Sequence, residues 1–480
     1  MITTYTWSQF IPAFSLVGVA SVLLLADAFL PKLPKRLFGA VAAAATFVTG
    51  CFLMGGEHAN AFGLLACLAT CFSILLALDY TQVTCASLTG SDSEEGSTEL
   101  YALPMVACAG ILALTQAKDI ITLFVSLEVI TLTSYVLAGY FRRNQGSVEA
   151  GIKYLVIGAM STGMLVFGAA WYFGMSGTFE LGNSAVVAAL NGSPVMFKGF
   201  LMAIALLLTG AFFKVGAAPM QVWVPDVYQG APTPVSNFLA TASKTAGFVL
   251  LSAVVAPMLT CMGDAYLLTL GTVAVATLVI GNLGALTQSN AKRLLGYSSI
   301  GQAGFILVFY LPLNSSPLKM VAIQSNVLLY LAAYTLATTV AFFAIAMVRT
   351  QRGSEELSAF RGLGTTNPRL AFLITVAFAS LAGVPLTAGF LVKMLSFIAL
   401  ISVMGKCCCL VWVLLPVMII CAAAGFYYYF KVIREMYWVK PAEGDKPLSV
   451  PVISGLVMTI CTLLIIITGT GMLLIKTPFM

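Results

Sequence analysis

A glutamate and three lysines lie in stretches that are otherwise apolar, and their side chains could carry charge through a membrane. Glu128 is central in DIITLFVSLEVITLTSYVLAGY, and Lys214 and Lys244 flank an interrupted apolar run. Lys393 follows a second interruption further along the chain. An isolated charge at the centre of a bilayer costs about 2.5–3.5 kcal/mol on insertion scales. Several such charges in one chain therefore indicate an ion or proton pathway.

Acids and bases are unequal in number within these stretches. Glu128 and Lys214 are natural partners, because each charge lowers the cost of burying the other. Lys153 lies one turn inside its apolar run and follows Glu149 by four residues, a spacing at which the two side chains can pair on one helix face. Four embedded lysines share one central acid, so some of the lysines have no carboxylate partner. Those lysines must be neutral, hydrated or bonded to neutral polar groups. Burial away from water lowers the pKa of a lysine, and a nearby carboxylate raises it again. A buried lysine that gains and then loses an acidic partner therefore binds and then releases a proton.

The two interruptions contain glycines and prolines that end a helix. The first begins at Gly216 and Pro219 and continues through three further prolines up to Pro234, and the second, in SLAGVPLTAGFLVK, contains Gly383 and Pro385. Proline cannot donate the helical hydrogen bond. Irregular backbone at membrane depth survives only where protein or a water-filled cavity covers it, so each break marks a transport site. Neutral polar side chains that could bind the intervening water are Gln221, Thr241, Ser243, Ser298 and Gln302.

The composition places the chain in a lipid bilayer. Of its 480 residues, 60% are hydrophobic and 9% are charged, and apolar runs long enough to cross a bilayer recur from end to end. We therefore predict an all-α polytopic membrane protein with one membrane domain, 1–480. Its fourteen predicted spans are 9–30, 37–56, 61–80, 98–117, 119–140, 149–175, 197–218 with a broken continuation, 234–260, 265–287, 293–312, 319–348, 370–398, 407–434 and 450–474.

The basic residues predict the orientation of these spans. Of the 24 lysines and arginines, 15 fall on one set of alternate loops and five on the other. Short loops rich in lysine and arginine stay in the cytoplasm, so both termini are predicted on the outer side. The predicted regions are three N-terminal spans (1–97), two halves (98–260 and 265–434) and a last span (450–474). Each half has five spans, an odd number, so the halves form inverted repeats.

Other features of the chain predict no cofactor or nucleic-acid site. The eleven cysteines lie mostly inside apolar runs without the spacing of zinc or iron–sulfur ligands, so we interpret them as packing residues. The sequence has no phosphate-binding glycine loop, no dinucleotide motif and no basic patch interleaved with aromatic residues. We interpret the aromatic run 427–429 as an interfacial belt and Trp223 as a packing residue.

Four segments carry a family resemblance. VWVPDVYQGAPTPVSNFLATASK (222–244) and AKRLLGYSSIGQAGF (291–305) closely resemble signatures of the N subunit of respiratory complex I, the proton-pumping NADH:quinone oxidoreductase. EAGIKYLVIGAMSTG and LAGVPLTAGFLVK are similar to the same family. The resemblance implies a fourteen-helix antiporter-like subunit of two inverted five-helix repeats, each with a broken helix. It also implies that quinone reduction elsewhere in the complex supplies the energy. Flavin, iron–sulfur clusters and quinone are then expected in partner subunits, and no cofactor in this chain.

The resemblance also implies roles for the charged residues. Glu128 would be the acid of the first half-channel, Lys214 its partner, Lys244 the central lysine and Lys393 the lysine of the second half, on the exit side. The remaining pair, Glu149 and Lys153, would be accessory and lie at the interface with a neighbouring subunit. Two positions depart from the family pattern, because Gln221 and Gln302 stand where related sequences often carry histidine. Glutamine cannot hold a proton, so the path would need water there.

We therefore predict a proton-translocating membrane subunit of an NADH:quinone oxidoreductase. It would lie in a bacterial inner membrane, in contact with lipid and with other membrane-arm subunits, including related antiporter-like ones. One alternative is a subunit of a multisubunit cation/proton antiporter or membrane-bound hydrogenase. Another is a structural scaffold whose charges only fix helix packing. The scaffold is disfavoured because an apolar pair usually stabilises a protein as well as a buried ion pair does.

Overall fold

The computed structural model describes most of the chain: residues 5–30, 32–55, 60–89, 98–181, 194–262, 264–312, 317–403, 408–441 and 447–474. In these segments the regular elements are helices, apart from two isolated bridges, Asp119 with Glu180 and Asn290 with Glu356. The helices are α1 (Ile11–Phe29), α2 (Lys35–Phe52), α3 (Ala61–Thr89), α4 (Glu99–Thr115), α5 (Ile120–Ala138), α6 (Gln145–Ser176), α7 (Pro194–Val215), α8 (Trp223–Gly230), α9 (Thr233–Ala240), α10 (Ala242–Met262), α11 (Asp264–Leu286), α12 (Ala291–Leu307), α13 (Pro317–Arg352), α14 (Pro368–Ala382), α15 (Ala388–Ile401), α16 (Cys408–Tyr437) and α17 (Val452–Leu474). Single helical turns occur at Trp7–Phe10, Val308–Tyr310, Leu357–Phe360 and Leu363–Thr366.

The predicted spans correspond to helices of the structure. Ten helical segments of the described residues are long and apolar enough to cross a membrane. The four other predicted spans coincide with α2, α4, α12 and the pair α14 and α15. Helices at the periphery, such as α1 and α17, expose many large apolar side chains, as a lipid-facing surface does. The all-helical membrane fold is thereby confirmed, whereas the predicted boundaries between the regions 1–97, 98–260, 265–434 and 450–474 stay a prediction.

The first predicted break separates α7 from α8. Gly216 adopts a left-handed φ of 73°, and the amide of Ala217 donates to the carbonyl of Phe212 (2.8 Å). The indole of Trp223 donates to Phe213 O (3.0 Å) and stacks on Tyr154 with ring centroids 4.6 Å apart. The interpretation of Trp223 as a packing residue is therefore confirmed.

A further break, which the sequence analysis missed, divides the predicted span 234–260. Helix α9 ends at Ala240, Thr241 has φ −113° and ψ −77°, and α10 begins at Ala242. Neither glycine nor proline lies at this position, so composition alone gives no signal for it. Lys244 follows two residues after α10 begins.

The second predicted break separates α14 from α15. Gly383 and Leu386 adopt left-handed φ angles of 90° and 71°. The helix restarts where the amide of Gly389 donates to Ser380 Oγ (3.1 Å). A Cβ at Gly389 would lie 1.8 Å from Ser380 O, so only glycine permits this close approach.

Candidate functional site

Three of the predicted lysines are buried beside the helix interruptions. The exposed fraction is 8% for Lys214, 3% for Lys244 and 6% for Lys393. Lys214 lies in the last turn of α7, Lys244 in the first turn of α10, and Lys393 in α15 after the second break. The interruptions therefore place three amines in the protein interior, as the sequence analysis predicted.

Lys214 is bonded to a hydroxyl on the neighbouring helix α5. Its Nζ donates to Thr131 Oγ1, which in turn donates to Leu127 O (2.6 Å). The last turn of a helix also attracts a cation, because the peptide dipoles leave negative charge there. The sequence analysis missed Thr131, although it lies three residues after Glu128 and therefore near it on the same helix face.

Glu128 shares a cavity with Lys214 without contacting it directly. The half-buried carboxylate accepts a hydrogen bond from Thr162 Oγ1 (3.1 Å). Both charged side chains line a cavity of about 10 Å³, close to the smallest volume that holds one water molecule. In the described part of the chain, the predicted partnership is thus a shared cavity and not a direct ion pair.

Lys244 contacts α12 and α13. Its Nζ donates to both the carbonyl and the hydroxyl of Ser299 and lies 5.2 Å from the centre of the Tyr334 ring. An ammonium over an aromatic face is attracted by the electrons of the ring. The Ser299 hydroxyl also lies 3.3 Å from the Tyr228 hydroxyl. Ser299 and Tyr334 were not singled out by sequence, because their proximity to Lys244 depends on how distant helices pack.

Lys393 binds the end of the helix before it. Its Nζ donates to the carbonyls of Leu381 and Ala382, both at 2.8 Å. The last carbonyls of a helix have no partner within that helix, so the ammonium satisfies two of them. Lys393 and Tyr334 line one cavity of about 10 Å³. This cavity connects the surroundings of Lys393 with the ring beneath Lys244.

Gln302 and Ser298, predicted as accessory residues, belong to a hydrogen-bonded cluster near Lys393. Gln302 Nε2 donates to Leu381 O (3.1 Å) and to the Tyr429 hydroxyl (3.2 Å), while its Oε1 accepts from the Tyr330 hydroxyl. The Tyr429 hydroxyl also bonds Ser298 Oγ. These polar side chains therefore form one hydrogen-bonded cluster beside the second break.

The belt interpretation of the aromatic run 427–429 is wrong for two of its three residues. Tyr427 is 65% exposed, but Tyr428 and Tyr429 are 1% and 0% exposed. Successive residues of a helix point about 100° apart, so a run of three cannot all face one interface. The helical spacing of the three tyrosines already indicated that they point in different directions, but the sequence analysis considered only their aromatic composition.

The predicted pair Glu149 and Lys153 is confirmed as an ion pair of 2.6 Å. Lys153 also contacts Asp226 (2.8 Å), which in turn contacts Arg293 (2.6 Å). The side chain of Lys153 is 41% exposed in the single chain, and its predicted place at the interface with a neighbouring subunit stays a prediction. It lies at a cavity where the polar end of α6 meets α8 and α12.

This cavity has a volume of about 370 Å³ and is lined mainly by polar and charged groups. On its wall the buried Lys292 donates to Ala231 O (2.7 Å) and to Glu355 (3.1 Å). Arg349 approaches the same carboxylate at 3.5 Å. Because this face carries basic residues from a loop and from helix ends, we call it the basic face, defined by Arg142, Arg143, Lys292, Arg293 and Arg349.

Gln221, the other predicted accessory glutamine, lies apart from the Gln302 cluster. It occupies the turn between α7 and α8, and its buried Oε1 has no hydrogen-bond partner among the described residues. Two further buried groups near the first break share this property, the hydroxyls of Tyr135 and Tyr154, whose rings meet edge to face at 4.9 Å. Buried polar atoms without a protein partner favour ordered water.

The predicted packing role of the cysteines is confirmed for five of the six whose side chains are described. Cys67, Cys71, Cys108, Cys421 and Cys461 are buried, with the sulfurs of Cys67 and Cys108 3.8 Å apart, whereas Cys51 is exposed. Across the described residues, no three His, Cys, Asp or Glu side chains converge as metal ligands would. The side chains of Cys85, Cys261 and Cys407 to Cys409 lie outside the described part.

Sequence comparisons connect this chain with a family of membrane subunits. A family model described as "NADH:quinone oxidoreductase/Mrp antiporter, TM" matches residues 117–419. The chain is 34% identical over 482 residues to the NADH-quinone oxidoreductase subunit N of Brevibacillus brevis, covering 94% of this chain and 90% of that one. It is 36% identical over 418 residues to NADH-quinone oxidoreductase subunit N 1 of Opitutus terrae, covering 82% and 81%.

Solved structures share the fold. A chain of respiratory complex I from Thermus thermophilus superposes with a TM-score of 0.75 at 27% identity, covering 96% of this chain and 97% of that one. A chain of an archaeal membrane-bound sulfane sulfur reductase gives 0.79 at 21% identity, with 96% and 94% coverage. A chain of the Mrp complex from Dietzia gives 0.78 at 21% identity, with 97% and 51% coverage. At 21% identity the likeness concerns the fold alone.

Proposed function

Because the chain belongs to the NADH:quinone oxidoreductase/Mrp antiporter family, as an antiporter-like membrane subunit of the N type, we propose that it moves protons across the membrane. The path runs through Glu128, Lys214, Lys244 and Lys393, with water between them. The chain itself is a non-redox subunit of the complex.

One observation carries this proposal: three lysines are more than nine-tenths buried, and each is bonded to neutral oxygens. Lys214 binds a hydroxyl, Lys244 a serine and Lys393 two carbonyls. A buried charge without a counter-charge costs several kcal/mol, so a purely structural role would favour apolar residues there. Amines that exchange protons with water or with Glu128 account for that cost.

The energy for uphill transport comes from outside this subunit. Moving one elementary charge against 100 mV costs about 2.3 kcal/mol. We propose that quinone reduction in partner subunits supplies it, with flavin and iron–sulfur clusters also in those partners. The surplus of lysine and arginine on the basic face supports a cytoplasmic location for that face, which leaves both termini on the outer side of a bacterial inner membrane.

The fold shared with the Mrp complex supports a second candidate, a subunit of a cation/proton antiporter. Purification of the native complex separates the two candidates. Flavin and iron–sulfur proteins are expected to accompany the chain only in a redox complex. Recovery of an assembly without them would favour the antiporter.

The substitution Glu128→Gln tests the path. Glutamine has nearly the same shape and can still accept from Thr162, so we expect normal assembly of the complex. It cannot exchange a proton, so NADH-driven acidification of inverted membrane vesicles should fall about tenfold, equivalent to ~1.4 kcal/mol. Acidification at the wild-type rate would remove Glu128 from the path and favour the scaffold alternative.

A further inference from the structure

Lys153 has two carboxylate partners, and they come from different parts of the fold. Its Nζ lies 2.6 Å from Glu149 on its own helix, α6, and 2.8 Å from Asp226 on α8. The side chain of Glu149 is 64% exposed, whereas that of Asp226 is 31% exposed. An exposed ion pair on one helix face contributes little, because water and salt screen it. Asp226 is therefore the stronger of the two partners.

Asp226 is itself held by a second cation. Its Oδ2 contacts Lys153, and its Oδ1 accepts a hydrogen bond from Arg293 Nη1 at 2.6 Å. Arg293 belongs to α12 and also donates to Gln229 Oε1 on α8, at 3.0 Å. Together with Glu149, the charges alternate in sign, sum to zero and join α6, α8 and α12.

Helix α8 is a short segment that fits tightly between α6 and α12. A Cβ at Gly230 would lie 2.3 Å from Gly146 O on α6, and a Cβ at Gly296 on α12 would lie 3.0 Å from Pro225 Cα. A helix of eight residues is not stable by itself, so α8 keeps its position through contacts with its neighbours. The carboxylate of Asp226 supplies one ionic contact to each of these two neighbours.

The other side of α8 lies beside the central lysine. Tyr228 follows Asp226 by two residues, and its hydroxyl lies 3.3 Å from Ser299 Oγ. Residues two apart on a helix point about 200° from each other, so Asp226 and Tyr228 occupy opposite sides of α8. Ser299 Oγ also accepts a hydrogen bond from Lys244 Nζ. A movement of α8 therefore moves the tyrosine that contacts the serine bonded to Lys244.

We propose that Asp226 is a positioning residue through which Lys153 holds α8, and with it Tyr228, in place beside Lys244. The inference rests on the proposed function, because Lys244 belongs to the proposed path. Loss of the charge on Lys153 leaves Asp226 bonded to α12 alone, so α8 loses its ionic contact with α6. Lys153 thereby acts on the surroundings of the central lysine from the basic face without contacting them, and Glu149 is only its secondary partner.

Amide hydrogen exchange over 223–230 in the assembled complex tests this contact without measuring transport, because local opening sets the exchange rate of helical amides. Lys153→Met keeps the apolar stem and removes the charge, so exchange in α8 should rise about fivefold. Asp226→Asn also removes the contact with Arg293, so exchange should rise further. Adding Lys153→Met to Asp226→Asn should then change exchange by less than twofold, because the shared contact is already lost.

Glu149→Gln is the matched control, because it removes the other partner of Lys153 and leaves Asp226 in place. We expect it to change exchange in α8 by less than twofold. Wild-type exchange in Lys153→Met, or an equal increase in Glu149→Gln, would overturn the inference. If Asp226→Asn does not assemble, Lys153→Met decides, because it leaves the contact between Asp226 and Arg293 intact.

NADH-driven acidification of inverted vesicles, measured per assembled complex, tests the effect on transport. Lys153→Met and Asp226→Asn should each slow it about fivefold, and Glu149→Gln should slow it less. Asp226→Glu keeps the carboxylate and should recover more than half of the wild-type rate. Wild-type rates in both Lys153→Met and Asp226→Asn would overturn the inference. Equal rates in Asp226→Glu and Asp226→Asn would also overturn it, because packing and not charge would then decide.

Lys393→Met separates this result from the proposed function. If Lys393→Met acidifies vesicles at the wild-type rate, the proposed path fails as a whole. If it is impaired while Lys153→Met and Asp226→Asn acidify vesicles normally, only the role of Asp226 fails.

Discussion

The two predicted breaks hold their lysines with different chemistry. In the first, Lys214 belongs to the helix that ends, binds the Thr131 hydroxyl and shares a cavity with Glu128. In the second, Lys393 belongs to the helix that restarts and binds the carbonyls of Leu381 and Ala382. Among the described residues, no carboxylate lies within ion-pair distance of Lys393.

The difference concerns what can move. A hydroxyl can rotate, so the hydrogen bond of Lys214 can change without any movement of the backbone. The carbonyls that bind Lys393 cannot rotate in this way, because they belong to the end of a helix. The contacts of Lys393 therefore change only when its side chain or the helix end moves.

The largest expected effect is that of Lys393→Met, which removes the amine from the fixed carbonyls. We expect acidification by vesicles to fall about tenfold or more, since no carboxylate pairs with Lys393 in the described residues and methionine cannot carry a proton. Assembly is followed by the thermal stability of the complex. Full pumping would show that the second break does not need its lysine.

A smaller effect is expected from Thr131→Val in the first break. Valine has nearly the shape of threonine but cannot accept from Lys214, while Glu128 and the shared cavity remain. The loss of one hydrogen bond predicts about a fivefold slower acidification. Thr133→Val is the control, because the Thr133 hydroxyl donates to the carbonyl of Val129 (2.7 Å), away from the lysine. Equal rates for the two variants would show that Lys214 does not depend on Thr131.

The smallest effects concern the backbone of the two breaks. The first break has glycine at its left-handed position, Gly216, whereas the second has Leu386 at φ 71° in addition to Gly383 at φ 90°. A left-handed conformation costs a residue with a side chain ~1–2 kcal/mol. Gly216→Ala should therefore lower the melting temperature of the complex, and Leu386→Gly should leave it unchanged or raise it slightly, because the exposed leucine loses little packing. A lower melting temperature for Leu386→Gly would show that Leu386 stabilises the break in another way.

The sequence by itself determined the class of the protein, its fourteen spans, both predicted breaks and the lysines beside them. Hydrophobicity, proline and glycine act over one or two helical turns, so they can be read without knowing what lies opposite. The family signatures were equally local. The break at Thr241 could not be predicted from local composition, because no residue type at that position ends a helix by itself.

Only the tertiary structure decided what each charge touches. In the structure, a cavity lies between Glu128 and Lys214, and Lys153 pairs with Asp226 as well as with Glu149. Tyr429 points inward and bonds Gln302. These contacts join residues that are tens to hundreds of positions apart, and they depend on the rotation of each helix about its axis. A rotation of about 100°, one residue along a helix, exchanges a lipid-facing side chain for a buried one. Sequence spacing alone does not fix that rotation in helices that are apolar on every face.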